Sequence, residues 1–279
     1  METGKASKTA LRVAIRRAAH QLADEPPVMY DPIAVPLIGR GFIRDMERAM
    51  HPVARDFRAF MAARSRYAED QLAASVAAGT TQYVILGAGL DTFAYRNPFP
   101  QLRVFEVDFP ATQLWKHERL AEAQIPIPPN LTFVPLDFEH KTLAESLLEA
   151  GLDPARPAFF GWLGVVPYLT LPAFRSTLAA ITALPAGTGV SFDYAFSPET
   201  LSPLQRKVFD ALAARVAAAG EPFQLFFTPD TLEDELHAAG FQQIHGAGTE
   251  EMNRLYFQNR ADGLKLSAHG LGMMCTAWV

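Results

Sequence analysis

Residues 82–92, Gln-Tyr-Val-Ile-Leu-Gly-Ala-Gly-Leu-Asp-Thr, decide how the rest of this chain is read. The apolar run from Tyr83 to Leu86 has the length and composition of a short buried strand. It leads straight into Gly87-Ala88-Gly89. Glycine lets the backbone bend sharply and lets a ligand lie against bare peptide. A strand ending in a glycine-rich bend, before a helix, is how open α/β sheets build a nucleotide site at their carboxyl edge.

Outward from this stretch the pattern alternates. Strand-like runs at 82–86, 102–108, 131–136, 157–163 and 188–194 enclose helix-like runs at 110–123, 140–150 and 172–183. Such alternation implies a mostly parallel sheet covered on both faces. Beyond residue 195 a helix is expected over 198–219, after Ser197-Pro198. Another is expected over 229–239, capped by Thr228 with Pro229 in its first turn. Segments 241–245 and 271–278 read as two closing strands.

Upstream, residues 8–23 predict an amphipathic helix. Leu11, Ala14, Ile15, Ala18, Ala19 and Leu22 form its apolar stripe, while Arg12, Arg16 and His20 line another face at i, i+4 steps. Pro26-Pro27 ends it, a short helix through Leu37 follows Asp31-Pro32, and a longer one covers 53–78 with Gly79 as its stop.

A chain of 279 residues that is 49% hydrophobic and 20% charged can bury a substantial core. Its net charge of -5 argues against nucleic acid as a main partner. One cysteine, Cys275, permits no intrachain disulfide and suits a reducing compartment. No apolar run approaches the roughly 18 residues of a membrane span, and the polar start carries no signal-peptide pattern. A cytoplasmic protein is expected. The seven histidines form no H-x-x-x-H or Cys/His cluster, so no metal is expected.

A dinucleotide fingerprint needs a third glycine, and Thr92 stands at that position. P-loop and nucleophile-elbow patterns are absent from the sequence. The next strand ends Phe105-Glu106-Val107-Asp108. Asp108 lies 19 residues after Gly89, near the spacing at which an acid accepts from ribose hydroxyls. Strand alternation puts Glu106 on the same face, so either acid is a candidate. Such an acid marks an adenosine ligand, either NAD or S-adenosylmethionine. The third strand ends Pro135-Leu136-Asp137-Phe138, which offers an acid for an adenine amino group and a ring beside it.

The blocks Leu86-Gly87-Ala88-Gly89-Leu90-Asp91-Thr92, Tyr95-Arg96 and Phe105-Glu106-Val107-Asp108-Phe109-Pro110 resemble the leucine carboxyl methyltransferase family of class I S-adenosylmethionine-dependent methyltransferases. Further blocks resemble its bacterial O-methyltransferase branch: Arg17-Ala18-Ala19-His20 with Asp31-Pro32, Trp162 to Thr170, Phe227-Thr228-Pro229, and Tyr256-Phe257 with Arg260 to Leu264. The resemblance covers nearly the whole chain.

It implies a single α/β domain over 1–279, with a Rossmann-like, seven-stranded, mostly parallel sheet. Residues 1–78 would form a helical cover and 195–230 a helical lid insertion. It implies S-adenosylmethionine as cofactor, held by the Gly87, Ala88, Gly89 loop, by Asp108 with Phe109 at the ribose, and by Asp137 with Phe138 at the adenine. Arg64 would grip the cofactor carboxylate, a role that suits the guanidinium fork. Leu163 is also expected at the cofactor site; it stands where the protein-phosphatase-methylating members carry a glutamate, which weakens the transfer of their substrate to this chain.

Tyr168, after the fourth strand, is the candidate for orienting the acceptor. Asp193 is read as a cleft residue or a helix cap, Asp91 as a cap for the helix after the glycine loop, and Asp137 alternatively as an N-cap for the helix from 140. Tyr95-Arg96 is expected to pack and pair. The implied reaction is methyl transfer to a carboxylate or hydroxyl of a small metabolite, with polyketide-type compounds as the expected class. A nicotinamide-dependent oxidoreductase and a non-catalytic adenosyl-binding module are the alternatives. The oxidoreductase is disfavoured by Thr92.

Overall fold

An apolar strand with no polar alternation is satisfied only between two other strands. The computed structural model, which describes residues 7–137, 140–267 and 270–279, places it there. Strands β1 (Gln82–Leu86), β2 (Arg103–Asp108), β3 (Leu131–Pro135), β4 (Phe159–Trp162), β5 (Gly189–Ala195), β6 (Gln243–Ala247) and β7 (Gly272–Trp278) form one sheet in the order 3-2-1-4-5-7-6. Every residue of β1 is buried, and β2 and β4 flank it in parallel register. Only β7 runs against its neighbours, antiparallel to β5 and β6. The order reverses between β1 and β4, so a crevice opens at their carboxyl ends. This is the α/β, Rossmann-like, seven-stranded architecture expected above.

The amino-terminal helices are α1 (Lys8–Ala23), α2 (Ala34–Ile38), α3 (Ile43–Met50) and α4 (Arg55–Ala77). The crossover helices α5 (Pro110–Glu122), α6 (Leu143–Glu149) and α7 (Leu171–Thr182) follow, then α8 (Pro203–Ala217), α9 (Pro229–Ala239) and α10 (Thr249–Tyr256). One core joins the sheet to α6, α7 and α9 through Phe160, Trp162, Phe174, Leu178, Leu236 and Phe241. A second packs α1 and α2 through Ala18, Ala19, Leu37 and Ile38. A third seats α4 against the carboxyl-terminal part of the chain through Ala59, Ala62, Met252, Leu264 and Met274.

Most boundaries match the expected ones, and the departures have physical reasons. No α-helix follows the glycine bend; Phe93–Arg96 is one 3₁₀ turn. Pro98 and Pro100 leave no room for a longer helix there. The helix expected from 198 begins as α8 at Pro203, where Ser202 and Gln205 form a capping box. A proline at 203 suits a first turn and would break a helix interior. The helix expected from 140 starts at Leu143, capped by Thr142 and Glu145. The expected strand 241–245 lies two residues later, because Phe241 turns back into the core and its N–H bonds Leu236 O. Helices α3 and α10 were not legible, since each buries almost nothing of its own: Met46 and Ala49 in one, Met252 in the other.

Candidate functional site

The bend after β1 is shaped by two close approaches. Gly87 has φ +63 and is exposed, and a Cβ built on it would overlap the Val165 side chain. Gly89 has φ +49, and its Cβ would lie 2.9 Å from that of Ala10 on α1. Both positions therefore need glycine for conformation and for space. Ala88 N donates to Val107 O at 3.1 Å and Gly89 N donates to Asp108 Oδ2 at 2.5 Å, which stitches the bend to the tip of β2. Asp108 Oδ1 accepts from Phe109 N at 2.6 Å. Burial pushes the Asp108 carboxyl above its ordinary range, against the pull of these two N–H groups. A carboxylate has about four lone-pair sites, so acceptor capacity remains for a ligand.

Glu106 is excluded from that role. It is fully buried, and Lys116 Nζ lies 2.6 Å from its Oε2. Lys116 also donates to Asp91 O at 2.7 Å, so the pair props the glycine bend from beneath. Complete burial raises the Glu106 carboxyl to about 7 despite its lysine. Asp108 is thus the acid at the open edge.

Arg64 approaches from α4. Its Nη1 lies 2.9 Å from Asp193 Oδ2 on β5, and Asp193 Oδ1 accepts from Gly164 N at 2.6 Å. Gly164 has φ +71, and a Cβ there would lie 2.9 Å from Arg64 Nη2. Asp193 therefore faces the cleft and caps no helix. Arg64 Nε is buried and has no hydrogen-bond partner among the described residues. Leu163 is half-buried and packs towards the α4 cluster. Tyr168 lies in the turn after β4, its ring 5.1 Å from that of Phe223. Burial pushes its phenol up to about 12.

Arg64, Gly164, Tyr168 and Asp193 form one end of a cavity of about 1320 Å³. Its walls come from α1, α3, α4, α8 and the ends of β5 and β7. The glycine bend and Asp108 lie off this wall, and Val165 links the two regions by touching Gly87 and following Gly164. The expected residues thus assemble as two adjoining groups, one around the bend and one around Arg64.

Asp137 stands at the carboxyl end of β3, where its backbone O accepts from His140 N at 3.0 Å. It is no N-cap, because Thr142 caps α6. Phe138 lies outside the described residues. Asp91 caps no α-helix; its Oδ1 accepts from Phe93 N at 2.7 Å and its Oδ2 pairs with Arg17 at 3.0 Å. His20 leaves the charged face it shares with Arg12 and Arg16 in sequence. It is fully buried between Asp24 Oδ2 at 2.8 Å and Val28 N at 2.9 Å, away from the cavity. Arg96 pairs with Glu69, as expected for Tyr95-Arg96. Residues that sequence reasoning passed over are Thr9, Arg12 and Arg16 on α1 and Arg215 on α8, all on the cavity wall. The one legible signal was two arginines a turn apart on a mostly apolar helix.

The residues present fit an adenosyl cofactor with an amino-acid tail. The bend exposes peptide at Gly87, Asp108 keeps acceptor capacity, and Arg64 keeps an unpaired buried N–H beside Gly164.

A family model described as leucine carboxyl methyltransferase matches residues 10–182. The candidate S-adenosyl-L-methionine-dependent methyltransferase YktD of Bacillus subtilis is 32% identical over 95% of this chain and 95% of its own. A candidate S-adenosyl-L-methionine-dependent methyltransferase of Saccharopolyspora erythraea is 34% identical over 64% of this chain and 63% of its own. Among solved structures, a methyltransferase-like protein from Thermobifida fusca superposes with a TM-score of 0.59, 19% identity and coverage of 99% and 96% of the two chains. Magnesium protoporphyrin IX methyltransferase from Synechocystis, solved with bound SAH, gives 0.50, with 13% identity and coverage of 85% and 93%. At such identities the two structures speak for the fold alone.

Proposed function

Because this chain belongs to the leucine carboxyl methyltransferase family and is an S-adenosylmethionine-dependent methyltransferase, we propose that it methylates an oxygen, foremost a carboxylate, of a small acid. The observation that carries this reading is that, among the described residues, the carboxylates near Tyr168 and Arg64 are already engaged, Glu221 by the hydroxyls of Ser7 and Thr9. Asp193 is occupied by Arg64 and Gly164 N, and the Tyr168 phenol stays protonated at neutral pH. Among the described residues the one imidazole on the cavity wall, His51, is at the exposed rim with Nδ1 taken by Val53 N. A carboxylate arrives already deprotonated and needs no base, whereas an amine or alcohol does.

Bound in the crevice, S-adenosylmethionine supplies a methyl group already activated on a sulfonium. The chain's own residues bind and align. Asp108 accepts from ribose hydroxyls, Gly87, Ala88, Gly89 and Phe109 give a bare-backbone floor, and Asp137 serves the adenine edge with Phe138. Arg64 holds the amino-acid carboxylate with its remaining donors. Leu163 shapes the passage between crevice and cavity. Tyr168 donates a hydrogen bond that orients the acceptor oxygen, and alignment of this kind contributes up to roughly 7–11 kcal/mol in ideal systems. The helices within 1–78 and 195–230 act as cover and lid, excluding water from the transfer. The apolar part of the wall, with Phe57, Phe60, Leu212 and Met273, suits the carbon skeleton of a polyketide-type acid.

The reading is tested by incubating the protein with methyl-labelled S-adenosylmethionine and a panel of small acids and cell extracts. Expected is a labelled product that loses its label to mild alkali, as a methyl ester does. An alkali-stable label on nitrogen or carbon would sink it, as would cofactor retention without transfer to any component.

A further inference from the structure

The cavity is cationic although the chain is anionic. Seven basic side chains line it against three carboxylates, Glu47, Asp56 and Asp193, in a chain of net charge -5. Two of those carboxylates are engaged: Asp193 as above, and Asp56 by Ser267, whose N–H donates at 2.8 Å. The excess concentrates at Arg12, Arg16 and Arg215. None of these three guanidiniums meets a carboxylate among the described residues. Arg16 Nη1 donates to Arg12 O at 2.9 Å, its carbon lies 4.7 Å from the centre of the Phe57 ring, and its Nε is buried without a partner.

Burial and the charges of Arg215 and Arg12 lower the Arg16 pKa to about 10, so both neighbours repel Arg16. Like charges at i, i+4 destabilise a helix unless something neutralises them. A desolvated guanidinium with idle donors is built to take an oxyanion in a bidentate grip.

Position along α1 adds the length of the ligand. Thr9, which lines the cavity together with Tyr168 and donates to Glu221, marks the crevice end. Arg16 lies two turns further, about 10 Å along the axis. We propose that Arg12, Arg16 and Arg215 form an anion-binding pole of the acceptor cavity, taking a carboxylate or phosphate that the acceptor carries at the end remote from the methylated oxygen. The assignment rests on the methyl-transfer reading for which end is which, but not for the existence of the pole. Because Arg215 comes from α8 and the other two from α1, an anion there also draws the two helices together over the cavity.

The test uses octanoate, octyl phosphate and octanol as probes, titrated calorimetrically into the full chain, with S-adenosylhomocysteine titrated separately. The wild type is expected to bind at least one of the two anions about tenfold or more tighter than octanol, the scale of a hydrogen bond to a charged group. Which anion binds better identifies the source as carboxylate or phosphate. In Arg16→Met and Arg215→Met the preference over octanol should fall below about twofold, with S-adenosylhomocysteine affinity unchanged. Arg16→Lys should keep part of the preference.

Equal binding of all three probes to the wild type would overturn the proposal, as would a preference that survives both methionine substitutions. So would a parallel loss of S-adenosylhomocysteine affinity, which would assign the arginines to the cofactor. Thermal melts guard against misfolding, since the anions should raise the melting temperature of the wild type and not of Arg16→Met. A wild type that ignores S-adenosylhomocysteine yet prefers the anions would defeat the methyl-transfer reading and leave the pole standing.

Discussion

The Arg64 guanidinium carries five N–H donors, and the structure sets one carboxylate, Asp193, against it. An arginine there to neutralise Asp193 alone would be exchangeable for lysine. One that also grips a ligand carboxylate by its fork would not. Arg64→Lys and Arg64→Ala are both expected to weaken S-adenosylhomocysteine binding by about tenfold or more, since a charge-assisted bidentate pair is worth roughly twice a neutral hydrogen bond. Calorimetry checks this, and full affinity in the lysine variant would assign Arg64 to Asp193 only. Glu106 and Asp108 make a matching contrast. They sit two residues apart on one strand, yet one supports the bend with Lys116 and the other tips it. Periodicity places both on one face and cannot say which reaches the edge.

Helix α1 is held to the sheet by charge as much as by packing. Arg17 bridges Asp31 at 2.7 Å and Asp91 at 3.0 Å, and Thr92 donates to Asp31 at 2.6 Å. The residue at the third-glycine position is therefore a fastening point for α1. Two turns on, at the end of α1, Asp24 takes Arg58 Nε at 2.7 Å and His20 Nδ1 at 2.8 Å, joining α1 to α4. These bonds to Arg58 and His20 hold the Asp24 carboxyl far below its ordinary range, outweighing burial. Asp24→Asn leaves Arg58 buried without its charge partner, which costs about 3–5 kcal/mol in comparable sites. The sign of the pH dependence follows from the depressed value. The stabilisation is complete above the unfolded carboxylate value of about 3.9 and fades as pH falls through the lower folded one. Melting curves of both proteins between about pH 7 and 3 should show the widest gap at the upper end, narrowing with acid. A constant gap would mean that the Asp24 charge plays no part.

Across the whole molecule, the cavity lies between a well-packed sheet and a thinly anchored helix. Helix α8 buries only Phe209 and Val216, while Leu204 and Val208 stay exposed along the cavity. Few buried contacts imply low local stability. Hydrogen exchange is expected to run at least about tenfold faster in α8 than in β1 and β4, and to slow in α8 when an acceptor-like anion is bound. Exchange in α8 as slow as in β1 would remove it from the role of lid. The strands, the crossover helices and the glycine bend were all legible in the chain. Each depends on contacts a few residues apart: an apolar run, a capping serine or threonine, a peptide that needs positive φ. The family blocks were legible for the same reason, being contiguous. What the tertiary structure alone decided is how distant segments meet. Arg64 finds Asp193 across 129 residues, His20 turns inward while Arg12 and Arg16 turn to the cavity, and Arg215 arrives from another helix to face them. Local pattern specifies an element and its faces. Which charge is buried, paired or left waiting depends on the elements packed against it, and no single segment carries that information.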